Sequence, residues 1–270
     1  MKYHSAISVL LLSLSCWFLP ITVEASWTFL SNSWTSKVMA SLTRLKVNTT
    51  PDATLRGGLT GYWSFNGPDM IGGTVYDRSG IGNNLFMIDM PTTTALVPGR
   101  IGQGLNFEDG AIDYLEGENV SSYDFGTGPF SVSVWFKTTF AGGGVRLVSV
   151  RDVCLNDSFW EVDIAAGTFW ACIDDALGNL TCVASNAVVN DGEWHHGVAV
   201  RDGVTLSAYV DGVFDNSASG VDILDLVNAA PLRIGDSVCN NDYLGEIDEV
   251  RIYNRTLSSA EVKRLYTMGK

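Results

Sequence analysis

From Leu59 onward the chain is a succession of short runs in which apolar and polar residues alternate, and this period of two limits it to half-buried strands. Phe130–Lys137 is the clearest run. Val132, Val134 and Phe136 fall on one side; Ser131, Ser133, Trp135 and Lys137 fall on the other, as in a sheet with one buried face. Similar runs occur at 61–65, 105–107, 145–150, 159–164, 168–173, 180–184, 194–201, 204–210 and 232–235. Arg201-Asp-Gly-Val204 and Val210-Asp-Gly-Val213 are hairpin turns in which Gly accepts a positive φ and Asp tolerates it. Many short strands with such turns imply an all-β sandwich or barrel.

The series closes with a strand, a turn and a helix. From Asp248 to Tyr253, Val250 and Ile252 share one face and Glu249 and Arg251 the other, which places Asp248 on the apolar side. Ser258 and Glu261 then form the S-x-x-E of a capping box, with Leu257 positioned to staple onto Val262 and a short terminal helix to follow.

Residues 1–25 have the form of a secretion signal: Lys2 and His4 precede an apolar run from Ile7 to Ile21, and Val23-Glu24-Ala25 offers a small-residue cleavage site. Secretion or display at the cell surface is the expectation, with an uncleaved membrane anchor as the alternative. Residues 26–58 form a separate segment, with scattered apolar residues, some helical character and a linker at Asn48–Thr54 and Gly57-Gly58. The main domain is then 59–270. Thirty acidic against 17 basic residues give a formal charge of -13, which repels phosphate backbones and excludes nucleic acid as a partner.

Without Cys16, four cysteines remain, an even number that suggests two disulfides with three possible pairings. Cys172 and Cys182 flank a polar, Gly-containing turn between two strand-like runs, so a cross-strand bond is the preferred assignment and leaves Cys154 to join Cys239. Zinc is disfavoured, because no CxxC pair exists and adjacent His195 and His196 point to opposite faces of a strand. Both histidines are read as structural, one packed under the sheet and one at its polar face.

In order, Gly61-Tyr-Trp-Ser-Phe-Asn-Gly67, Asp77-Arg-Ser-Gly-Ile-Gly-Asn83, Gly102-Gln-Gly-Leu-Asn-Phe107, Phe130–Lys137, Gly192-Glu-Trp-His-His196, Tyr209-Val-Asp-Gly212 and Gly245–Tyr253 resemble the laminin-G-like domains, more narrowly the concanavalin A-like lectin/glucanase group. The resemblance implies a two-sheet antiparallel jelly roll of the single-module type found in secreted and surface-attached bacterial proteins. Because that fold hosts lectins, adhesion modules and glycosidases, function must come from the site.

Hydrolases on this fold carry E-x-D-x-(x)-E on one strand. Here Glu161-Val-Asp163 supplies two of those acids, but Ala165 and Ala166 stand where the third belongs, and Glu246-Ile-Asp248-Glu249 puts its last acid on the opposite face. A retaining glycosidase needs two carboxyl groups about 5–5.5 Å apart, one of them protonated. No catalytic residues are therefore assigned.

The resemblance also implies that Asp248 helps hold a structural calcium with the Asn66-Gly67 turn, although Ser64 stands where an acid is common. The alternative is that Asp248 accepts backbone N–H bonds from a turn. Carbohydrate binding needs an aromatic platform with planar polar groups, for which Trp160, Trp170, Tyr243, Asp157 and Asn240 are the candidates. The expected partner is an extracellular polysaccharide or glycoconjugate; a protein partner or self-association of an adhesion module is the rival.

Overall fold

The computed structural model describes residues 51–270, except 91–94, 108–112, 119, 152, 155–157, 176, 221, 223, 237–238 and 240–241. The expected signal and most of segment 26–58 lie outside the described residues. The chain divides into two units, Met1–Ala53 and Thr54–Lys270.

Helix α1 (Pro51–Arg56) leads into β1 (Leu59–Trp63), β2 (Met70–Ile71), β3 (Thr74–Val75), β4 (Leu85–Ile88), β5 (Leu96–Pro98), β6 (Gln103–Phe107) and β7 (Tyr114–Gly117). The longer strands follow: β8 (Phe130–Lys137), β9 (Val145–Val150), β10 (Ser158–Ala165), β11 (Thr168–Asp175) and β12 (Thr181–Val188). Then come β13 (Trp194–Asp202), β14 (Thr205–Val210), β15 (Val213–Ser219), β16 (Leu232–Ile234), β17 (Gly245–Tyr253) and helix α2 (Ser259–Met268).

The strands form two antiparallel sheets. The first runs β15-β14-β13-β8-β17-β6-β5, with β1 paired to the end of β17; the second runs β12-β11-β10-β9-β16-β7-β4-β3-β2. The jelly-roll expectation therefore holds. The turn between β14 and β15 has both central residues in the left-handed region, Asp211 at φ 52° and Gly212 at φ 77°, the geometry that matches strand twist in a two-residue hairpin. Helix α1 overlaps the end of the segment expected as a linker, opens at Pro51, a residue suited to a first helical turn, and is followed by left-handed Gly58.

Between the sheets, Val132, Val134, Phe136, Val250 and Ile252 face Val148, Val162, Ile164, Phe169 and Ile234. A second apolar cluster lies on the outer side of the first sheet, where Val262 and Leu265 of α2 pack with Val198, Val200, Tyr209, Tyr253 and Leu257. Ser258 and Glu261 make the expected capping box. This helix corrects the one-sided reading of β8: Ser131, Ser133 and Trp135 are as buried as Val132 and Val134, because a second layer covers them.

Candidate ligand-binding site

The outer face of the second sheet gathers the charged residues of β9 and β10. Arg146 forms ion pairs with both acids, Nε lying 2.9 Å from Glu161 and Nη1 3.1 Å from Asp163, and Arg151 reaches Glu161 at 3.2 Å. Both acids are buried. Burial pushes the Asp163 carboxyl well above the ordinary range; Glu161 adds to the rise, and Arg146 and Arg151 oppose it. Glu161, Asp163 and Cys172 place potential ligand atoms within 4.8 Å of one another. They make a poor metal site, since the Cys172 sulfur is bonded to Cys182 and Arg146 already neutralises the carboxylates. Ala165, two residues on, offers no acid.

Both expected disulfides form. Cys172–Cys182 joins directly opposed residues of β11 and β12, and Cys154–Cys239 ties the loops that follow neighbouring β9 and β16.

The aromatic candidates do not form a platform. Trp160 is 1% exposed, its ring against Phe125 and Phe130 and its Nε1 donating to the Tyr123 carbonyl at 3.0 Å. Tyr243 is buried as well, its hydroxyl donating to the Lys137 carbonyl at 3.0 Å. Both fall on the inner side of the sandwich, where burial of a large ring outweighs any use as a surface. Trp170 alone keeps partial exposure on the outer face, and its Nε1 donates to Thr168 Oγ1 at 2.8 Å. Asp157 and Asn240 lie outside the described residues.

Asp248 is buried, but not among Val250 and Ile252. Glu249 takes φ 53° and the register shifts there, a β-bulge that turns Asp248 to stand opposite Trp135 on the outer face. The bulged Glu249 accepts from the Tyr62 hydroxyl at 3.0 Å and pairs with Arg251, whose guanidinium lies 4.0 Å from the centre of the Tyr62 ring. Asp248 Oδ2 accepts the backbone N–H of Ile101 at 2.8 Å. Burial is the main reason its carboxyl is pushed up to about 7.

The other members of the expected calcium set, Asn66 and Gly67, are hydrogen-bonded to Gln103 and Asp69. Asn66 Oδ1 accepts from the Gln103 N–H, the Asn66 carbonyl accepts from Asp69, and Gly67 presents its N–H to the Gln103 side chain. The Ile101 N–H to Asp248 Oδ2 bond is the kind of contact that the turn-acceptor alternative expects.

His196 is buried under α2, its ring 5.0 Å from that of Trp135 and its Nε2 2.9 Å from Ser133 Oγ. Burial brings its pKa down to about 3, so the ring is neutral. His195 lies at the strand end between Asp211 at 3.0 Å and Asp191 at 3.2 Å, and the Asp211 hydrogen bond raises its pKa. Both are structural.

An open cleft of about 860 Å³ lies where β6 and β8 end and β17 begins. Asn106, Lys137, Phe140, Gly192 and Glu246 contribute to its lining. Lys137 Nζ and Glu246 Oε1 are 3.1 Å apart and both side chains remain partly exposed. Sequence reading missed this group, although Asn106, Lys137, Gly192 and Glu246 all belong to the motifs that carry the family resemblance, because their meeting depends on strand register.

A family model described as the concanavalin A-like lectin/glucanases superfamily, of laminin-G type, matches residues 109–263. No curated protein sequence matches. Among solved structures, the binding domain of Paraclostridial Mosquitocidal Protein 1 is similar over 79% of this chain and 53% of its own, with 17% identity and a TM-score of 0.64. The botulinum neurotoxin serotype D binding domain is similar over 80% and 52%, with 14% identity and a TM-score of 0.63. The binding domain of botulinum neurotoxin DC, solved in complex with rat synaptotagmin II, is similar over 79% and 52%, with 11% identity and a TM-score of 0.58. The chain thus spans about half the length of these solved chains, which share its fold. With the family model covering more than half its residues, the chain belongs to the concanavalin A-like lectin/glucanases superfamily.

Proposed function

We propose that this protein is an extracellular, non-catalytic binding module whose ligand is a carbohydrate or glycoconjugate. The observation that carries the reading is the Arg146 bridge: the two acids that could have served hydrolysis are locked in ion pairs, and Ala165 leaves no third. Two disulfides suit an oxidising, extracellular setting. Among the described residues, no helix is long and apolar enough to cross a membrane. The similar solved domains are binding domains of toxins, which supports binding over catalysis.

A glycan array paired with a protein array tests this. Sugar-specific retention supports the reading, and retention on protein alone favours an adhesion module. Polysaccharide cleavage that disappears in Glu161→Gln would overturn the non-catalytic assignment.

A further inference from the structure

Helix α2 covers the outer face of the first sheet only in part. Its last turn ends over Trp135, on which Tyr266 stacks with ring centres 5.6 Å apart, and Arg100 is bound to the Gly269 carbonyl beside the same indole. One row further along the strands the cover stops. In that row Asn106 of β6 stands opposite Glu246 of β17, Glu246 opposite Lys137 of β8, and Lys137 opposite Trp194 of β13. Directly opposed residues on one face have Cβ atoms about 4.5–5.5 Å apart, so four neighbouring strands present amide, carboxylate, ammonium and a partly exposed indole in a line. The first three line the open cleft, and Phe140 contributes an apolar wall.

The floor of this cleft is rigid. Thr138 Oγ1 donates to the Leu244 carbonyl at 2.6 Å and accepts the Phe140 N–H at 2.9 Å, while Tyr243 holds the Lys137 carbonyl. The Gly192 N–H is bonded to the Thr138 carbonyl at 3.0 Å. At Gly245 a Cβ would lie 2.2 Å from the Lys137 carbonyl oxygen, so only glycine lets β17 start this close to β8. A floor pinned by main-chain bonds needs little reordering when a ligand arrives.

We propose that this cleft is the ligand site of the module and that it takes a neutral, hydroxyl-rich sugar. This rests on the carbohydrate reading above. One ammonium hydrogen of Lys137 is engaged by Glu246, leaving two donors, and Glu246 keeps a second oxygen as acceptor. Asn106 offers both a donor and an acceptor. Alternating donors and acceptors fit vicinal hydroxyls, each of which gives and receives one bond. Phe140 supplies flat apolar surface for the C–H face of a sugar ring, and Trp194 stands at the end of the row, beyond the cleft lining. A polyanion is a poor match, since the single cation is already paired and the chain carries a net charge of -13. An apolar ligand would strip water from the ion pair without replacing its hydrogen bonds. The volume lies within the roughly 300–1,000 Å³ of small-ligand sites.

The test is titration calorimetry of the full chain with neutral hexaoses built from cellulose, xylan, mannan, chitin and laminarin units. Glu246→Gln and Asn106→Ala should each weaken the best binder at least about tenfold, roughly 1.4 kcal/mol. Thr139→Trp, which places bulk at the cleft without removing a polar contact, should do the same. Val188→Ala, exposed on the other sheet, should leave affinity unchanged. Thermal melts confirm that each variant is folded. Full-strength binding by all three cleft variants would overturn the site and leave the carbohydrate reading standing. No binding of any hexaose by the wild type would overturn both the site and the reading on which it rests.

Discussion

Asp248 stands opposite Trp135 beneath the end of α2, one residue before left-handed Glu249. Its carboxyl, pushed up to about 7 by burial, is protonated more readily in the folded chain than in the unfolded one, where the ordinary value is 3.8. For a raised carboxyl the stabilisation is full below about pH 4 and is lost as pH climbs towards 7. Asp248→Asn, which keeps an acceptor for the Ile101 N–H, should therefore melt higher than the wild type at pH 8, by several degrees. The advantage should shrink steadily towards pH 4. A pH-independent difference between the two melting curves would contradict this. Calcium should leave the wild-type melting temperature unchanged, since Asp248 faces a backbone donor.

The two histidines should separate in an NMR titration. His196, lowered to about 3, should hold a neutral imidazole signal from pH 8 to pH 4, while His195, raised by Asp211 and Asp191, should titrate above the usual 6.5. For His196 the sign is opposite to that of Asp248: stability falls as pH drops from 6.5 towards 3, because the unfolded ring protonates first. Titration of the His196 ring near 6.5 would mean that α2 does not cover it.

Arg146 holds two buried carboxylates, so Arg146→Met should destabilise strongly, on the order of 3–5 kcal/mol, by leaving both without their shared cation. Adding Glu161→Gln and Asp163→Asn should recover most of the loss. Chemical denaturation reads both effects; a loss in Arg146→Met that the added changes do not reduce would show that packing, not charge, is at stake.

The disulfides should contribute unequally. Cys154–Cys239 spans 85 residues and Cys172–Cys182 only 10. Chain entropy alone then assigns about 4.5 and about 2.7 kcal/mol to them. Paired Cys→Ala replacements, compared by denaturant midpoint, should show the larger drop for the long loop; the reverse order would locate the stabilisation in native packing instead.

The sequence by itself determined what depends on near neighbours. The Asp211-Gly212 turn, the Ser258–Glu261 cap and the Cys172–Cys182 bond across a hairpin are local, and residue type and spacing suffice to specify them. The strand series was legible for a similar reason, since alternation reflects a sheet covered on at least one face. What only the tertiary structure decided depends on partners far along the chain. A single left-handed residue at Glu249 moved Asp248 from the core side to the helix side, and α2 buried Ser131 and Ser133, which alternation had left facing water. Trp160 and Trp170 are of one type on paired strands, yet one ring is core and the other partly exposed. Asn106, Lys137, Trp194 and Glu246 are far apart in sequence, and only the register of four strands sets them in one row. Register arises from the balance of every cross-strand contact at once, so no local stretch of sequence encodes it.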